Sequence, residues 1–170
     1  MTTNKKYSLK ETLLRETKTY PDTDNHPLIL ALASHASEKF TSYDGTILKF
    51  MQPDACATLL DIRLSDDPER PDALYIEKLE VLRYPYGEID LECFGKGYAK
   101  EVLTLLAQEA DRTRTELYLI AAPEARDRRA FPQLPDKDQL AALYARYGFV
   151  EDFSNFAQVG MTRVPRQSAS

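Results

Sequence analysis

A chain of 170 residues that is 43% hydrophobic and 29% charged carries enough apolar material for one folded domain with a real core, and it is read as a single domain over 1–170. A formal net charge of −5 and a pI near 5.1 leave no broad basic face, which argues against nucleic acid as a partner. No apolar run reaches the length of a membrane span and the N-terminus has no signal-peptide core, so a cytoplasmic protein with no membrane association is expected. Cys56 and Cys93 are far apart and lack metal-ligand spacing; they read as reduced thiols, and no metal is expected.

In chain order, Leu9, Leu13 and Leu14 among Lys and Glu residues suggest a short helix over 9–19. Asn25 is expected to cap a second helix, with Pro27 in its first turn and apolar residues from Leu28 to Ala36. His26 and His35 flank that helix, and no Cys or Ser nucleophile signature accompanies either, so both read as structural or surface residues. Residues 46–52 and 57–64 have strand character, with Pro53 and Asp54 turning the chain between them. After an exposed turn over 65–72 comes a third strand, Leu74–Leu82, which completes an antiparallel meander.

The segment Phe94-Gly95-Lys96-Gly97-Tyr98-Ala99-Lys100 follows, and then an amphipathic helix with Tyr98, Val102, Leu105, Leu106 and Glu109 on one face, widened by Leu103, Ala107 and Ala110. Two glycines one residue apart allow a tight turn and a close backbone approach, and the helix start aims free N–H groups into that turn. This combination suits a phosphate group. A Walker loop would need Lys-Ser or Lys-Thr after its last glycine, and here Tyr98 and Ala99 follow. A dinucleotide fingerprint would need a third glycine at the position of Lys100.

Residues 116–122 read as a strand buried on both faces, and strand, glycine loop, helix, strand makes a right-handed crossover with parallel strands. Residues 123–137 read as a solvated loop in which Arg126, Arg128 and Arg129 cluster. Asp136 and Gln139 form a capping-box pattern for a last helix, with Leu140, Leu143, Tyr144 and Tyr147 on one face and Gly148 at its end. Residues 152–163 are expected to form a closing strand pair, and 165–170 a disordered polar tail.

Three of these segments together resemble the Gcn5-related N-acetyltransferase (GNAT) superfamily, of the small phage or bacterial type. Tyr75-Ile76-Glu77-Lys78-Leu79-Glu80-Val81 is similar to the family's central strand, Gly95-Lys96-Gly97-Tyr98-Ala99 to its pyrophosphate loop, and Leu143-Tyr144-Ala145-Arg146-Tyr147-Gly148-Phe149 to its Leu-Tyr-x-x-x-Gly-Phe segment. They occur in the family order over about residues 73–150. The sequence departs from the pattern in three places: Phe94 stands where Arg or Gln is usual, Lys137 replaces an Asn, and Arg83–Glu92 is an insertion before the loop.

The resemblance implies an α+β fold with a mixed, largely antiparallel central sheet flanked by helices. It implies acetyl-CoA as cofactor, held by Leu79, Val81 and Leu82 of the strand and by Gly95, Lys96, Gly97, Tyr98, Ala99 and Lys100 of the loop. It further implies acetyl transfer to a primary amine, with Glu77 as base and Tyr144 as the acid that protonates the leaving thiolate. On strand alternation alone, Glu77 would share a face with Tyr75, Leu79 and Val81, and Glu80 would face away. The acceptor class stays open between a small-molecule amine and a protein lysine, and a homodimer is held open too. The departures from the pattern keep alive a second reading, a degenerate acyl-CoA-binding interaction module.

Overall fold

The structure is a computed structural model that describes residues 23–167 apart from 43, 85, 86, 124 and 156. The helix expected over 9–19 lies outside the described residues. A 3-10 turn, Thr23–Asn25, leads into α1, Pro27–Ala33. His26, rather than Asn25, is the N-cap: its Nδ1 accepts from the amide of Leu28 at 3.1 Å, and its Nε2 lies 3.1 Å from the carbonyl of Asp72. Both ring nitrogens are thus committed to backbone, and burial lowers the pKa of the imidazole. His26 fixes the helix start.

A seven-stranded sheet follows, with strand order β1-β2-β3-β4-β5-β7-β6. Its members are β1 (Glu38–Thr41), β2 (Gly45–Met51), β3 (Cys56–Leu64), β4 (Leu74–Arg83), β5 (Leu117–Ala121), β6 (Val150–Ser154) and β7 (Val159–Arg163). Strands β1 to β4 run as an antiparallel meander, β4 and β5 are parallel, and β7 enters antiparallel between β5 and β6. This is the mixed, largely antiparallel sheet that the resemblance implies. The short edge strand β1 escapes the sequence reading, because all of its residues are exposed and no apolar alternation marks it. The strand at 117–121 is buried on one face only: Leu117, Leu119 and Ala121 are buried, while Ile120 is exposed. Its apolar run concealed that alternation.

The crossover helix is α2, Tyr98–Arg112. Val102, Leu103, Leu106 and Ala110 are each 3% exposed or less and pack against Leu28, Ile29 and Leu32 of α1 and the sheet residues Leu60, Ile62, Leu74 and Ile76. Each large side chain buried this way contributes about 1.5–3 kcal/mol. Its C-terminal end is clamped to β7, where Arg163, 2% exposed, makes a two-pronged contact to Asp111 at 2.7 and 3.0 Å and donates to the carbonyl of Tyr147 at 2.6 Å. The expected solvated loop contains a short helix, α3, Ala125–Ala130. The last helix, α4, is Lys137–Ala145, and both bonds of the capping box are made, at 2.8 and 2.9 Å between Asp136 and Gln139.

The two cysteines are joined. The β3–β4 hairpin and the 3-10 turn Leu91–Cys93 bring Cys56 and Cys93 to a Cα separation of 5.7 Å, and they form a disulfide across a sequence separation of 37. This corrects the reading of them as reduced thiols. Spacing along the chain could not reveal the pair; the hairpin creates it.

Candidate functional site

The site begins where β4 and β5 part. They pair only over Leu74–Ile76 with Leu117–Leu119, after which β4 runs on to Arg83 and β5 to Ala121. The gap opens into a cavity of about 580 Å³, a size suited to a cofactor. Glu77 to Leu82 form one wall and Leu119 to Pro123 another; the glycine loop closes one end, and Leu140, Leu143 and Tyr144 of α4 face it across the gap.

A β-bulge at the branch point resets the strand. Asp61 of β3 partners Lys78, and the next residue, Ile62, partners Ile76, so Glu77 is the extra residue. Partnered residues project to one side of a sheet. Tyr75, Glu77 and Lys78 therefore lie on one face with Asp61 and Arg63. Leu79 and Val81 lie on the other, with the buried Leu60 and Thr58. The expectation that Glu77 shares a face with Leu79 and Val81 is overturned, and Glu80 returns to the face of Glu77. Contacts agree: Arg63 Nε donates to Glu77 at 3.2 Å and stacks over the ring of Tyr75, and Lys78 pairs with Glu80 at 3.5 Å. Simple alternation fails because one inserted residue shifts the phase of every side chain after it.

At the loop, Gly95 and Gly97 take φ of +76° and +82°, the left-handed region that suits glycine, and a Cβ built at either would meet open space. Gly97 is the N-cap of α2 and offers no side chain to the first-turn amides, which have no intrahelical partners. Gly95, Gly97, Tyr98, Ala99 and Lys100 all line the cavity. Lys96 does not. Its ammonium sits 2.6 Å from Asp54 in the β2–β3 turn, and the Tyr98 hydroxyl donates to the same carboxylate at 2.8 Å. These bonds hold the Asp54 carboxyl down at a pKa of about 2.

The described residues of the insertion are held by ion pairs. Arg83 bonds Asp90 at 2.9 Å, Glu92 at 3.2 Å and the Asp54 carbonyl at 2.7 Å, and its strand bridges Glu88. Across the cavity, the Tyr144 ring packs edge-on against Phe149, with centroids 5.9 Å apart. Its hydroxyl has no hydrogen-bond partner among the described residues, and burial pushes its pKa up to about 12. The expected residues Glu77, Tyr144, Leu79, Val81, Leu82, Gly95, Gly97, Tyr98, Ala99 and Lys100 are therefore brought around one cavity, and Lys96 is turned away from it. Sequence reasoning missed Asp54, Arg63 and the disulfide as parts of this region. Asp54 reads there only as a turn residue, and nothing local to it marks its partners more than forty positions on.

A smaller cavity of about 270 Å³ shares Leu119 and Ile120 with the first; Arg63, Asp66, Tyr75, Tyr118 and Phe153 contribute to its walls. Among the described residues no group of His, Cys, Asp or Glu could hold a metal ion, and no helix is long and apolar enough to cross a membrane.

No protein-family model matches the sequence, and no curated protein matches it. Several solved structures share the general course of the chain. PH1933 from Pyrococcus horikoshii OT3 is 14% identical over 81% of this chain and 72% of its own, with a TM-score of 0.44. Arabidopsis thaliana Naa50, solved in complex with the bisubstrate analogue CoA-Ac-MVNAL, is 16% identical over 91% and 90%, with a TM-score of 0.40. A GNAT-family acetyltransferase from Listeria monocytogenes 4b F2365 is 12% identical over 91% and 82%, with a TM-score of 0.41. Likenesses this loose say nothing of the chemistry of the cleft, which has to be read from its own residues.

Proposed function

We propose that the chain is an acetyl-CoA-dependent N-acetyltransferase acting on a primary amine. The observation that carries this reading is the cleft between the diverging β4 and β5, with a helix N-terminus behind a double glycine at one end and, in the opposite wall, a tyrosine hydroxyl with no partner among the described residues. The residues fit the cofactor. Open space in front of Gly95 and Gly97 leaves room for a pyrophosphate against the loop amides. The edge of β4 beyond Ile76 has left its partner β5 and can offer backbone groups to an amide-bearing arm.

When bound, acetyl-CoA supplies an activated acetyl group. Glu77, at the bulge where the cleft opens, takes the proton of the incoming ammonium. Backbone amides of the β4 edge polarise the reacting carbonyl. Tyr144 keeps its phenol protonated across the whole working pH range, because burial disfavours phenolate, and delivers that proton to the departing sulfur. The amine reaches the cleft through the smaller cavity on the face of Glu77, which adjoins the first at Leu119 and Ile120. Its acceptor is a small-molecule amine or a protein lysine.

One observation favours the second reading, an acyl-CoA-binding module without turnover: Glu77 is tied to Arg63 at 3.2 Å, so one oxygen of the carboxylate is already engaged at rest. Mass spectrometry of the purified protein for retained CoA, followed by acetyl-CoA turnover against a panel of amines and lysine peptides, tests both. CoA retention with turnover of an amine supports the enzyme; retention without turnover supports the module; neither rejects the cofactor.

A further inference from the structure

The glycine loop is held from outside itself, at both ends, by one turn of the sheet. Before the loop, Cys93 is bonded to Cys56 at the start of β3, and both are buried. Within and after the loop, Lys96 and Tyr98 converge on Asp54 at 2.6 and 2.8 Å. Asp54 is itself fixed, because its other oxygen accepts from the amide of Cys56 at 3.2 Å and its carbonyl accepts from Arg83 at 2.7 Å. Arg83 in turn grips Asp90, whose side chain caps the 3-10 turn that ends in Cys93. Covalent and ionic ties thus close a ring around residues 93–98, in which two glycines would otherwise have the widest conformational freedom of any residue.

We propose that the β2–β3 turn is the mount of the phosphate-binding loop: Asp54 is a positioning residue for the cofactor, and the Cys56–Cys93 disulfide is a second, reducible tie on the same loop. The inference rests on the acetyl-CoA reading above. A loop whose amides are aligned before the cofactor arrives avoids the ordering cost at the moment of binding. Lys96 serves that alignment instead of meeting the phosphates, since its ammonium is committed to Asp54. The low pKa of Asp54 means that this tie persists at every pH the protein meets near neutrality. The disulfide can be opened. Dithiothreitol supplies two electrons and two protons, the S–S bond becomes two thiols, and the reagent closes to its cyclic disulfide.

The test measures acetyl-CoA affinity and amide exchange of residues 94–100 in the oxidised protein, the dithiothreitol-reduced protein, Asp54→Ala, Asp54→Asn and the double variant Cys56→Ala/Cys93→Ala. Expected are about tenfold weaker acetyl-CoA binding for Asp54→Ala and for the reduced protein, faster exchange in the loop, and a raised KM for acetyl-CoA with kcat within about twofold. Asp54→Asn, which keeps the bond from Tyr98 and loses the charge opposite Lys96, should fall between. The double cysteine variant should match the reduced protein and ignore the reductant. Unchanged affinity and unchanged loop exchange in all of these would overturn the proposal. So would tighter binding in Asp54→Ala, which would make Asp54 a restraint on a phosphate-seeking Lys96. If the oxidised wild-type protein binds no acetyl-CoA at all, the fault lies with the cofactor reading, and loop exchange then decides alone whether the turn is a mount.

Discussion

The two walls of the cleft are built to different standards. On the loop side, α2 buries Val102, Leu103, Leu106 and Ala110, and the glycine loop before it is tied by a disulfide and by a doubly bonded carboxylate. On the far side, α4 buries none of its residues fully, β6 is exposed along its whole length, and what fixes the helix is a capping box at one end and half-buried side chains along one face. Local stability follows buried contacts, so the far wall opens at lower cost than the loop side. The difference matches the two tasks that the proposed acetyltransferase would set. Holding a charged pyrophosphate needs amides that do not move, whereas the wall carrying Tyr144 needs only to bring one hydroxyl to the cleft.

Breaking the loop side should have the largest effect. Gly97→Asp places a Cβ at a φ of +82° and a carboxylate at the helix start, against the proposed pyrophosphate site. Loss of measurable acetyl-CoA binding is expected, with circular dichroism still showing a folded protein, because nothing lies within 4 Å of the new side chain's first atom. Wild-type affinity in that folded variant would reject the loop as the phosphate site.

The comparison between the walls is sharpened by a pair of truncations. Leu106→Ala, at a site 1% exposed, should cost about 2–5 kcal/mol in denaturant unfolding. Leu143→Ala, on a face only partly covered, should cost less than about 2 kcal/mol. Equal losses would mean that α4 is as firmly seated as α2.

Tyr144→Phe then probes the far wall without loosening it, since the ring stays against Phe149. Removing a general acid typically costs about 10²–10⁴-fold, and a fall in kcat near the lower end is expected, with stability and acetyl-CoA affinity nearly unchanged. Its pH behaviour is a separate check. A phenol whose folded pKa is raised stays neutral longer than in the unfolded chain, so its neutral form is fully in place below the ordinary phenol value of 10.0. Stability is then lost as pH rises from there through about 12. Ultraviolet difference titration should show one phenol ionising near 12 in the wild type that is missing in Tyr144→Phe. A lost phenol with an ordinary midpoint would mean that the site is wet.

What could be read from the sequence was what is local. The capping box at Asp136 and Gln139, the meander of β2 to β4 and the start of α2 behind Gly97 each depend on neighbours within a few residues, and each is where its pattern places it. What could not be read depends on partners brought together by the sheet. Asp54 acquires Lys96 and Tyr98, Cys56 acquires Cys93, and His26 takes the cap expected of Asn25 because Asp72 holds its other nitrogen. The bulge at Glu77 belongs to the same group. It exists only in the register between two strands, and a periodicity of two carried straight through it assigns Leu79, Glu80 and Val81 to the wrong faces.

That bulge sets the last and smallest expected effect. Glu77 and Glu80 now share a face, so orientation no longer separates them as candidate bases; position does. Glu77 is the first residue after the last β4–β5 pair, at the mouth of the cleft, whereas Glu80 lies three residues further along an edge that has already diverged and is paired with Lys78. Proton abstraction needs hydrogen-bond reach to the amine, which favours the residue at the branch point. Its pairing with Arg63 already engages one carboxylate oxygen, so its contribution should be modest. Glu77→Gln is expected to lower kcat/KM about tenfold at neutral pH and to recover toward wild type as pH rises and the acceptor deprotonates unaided. Glu80→Gln should leave the pH profile as it is. A crippled Glu80→Gln beside a normal Glu77→Gln would move the base three residues along the strand and with it the point at which the amine meets the cofactor.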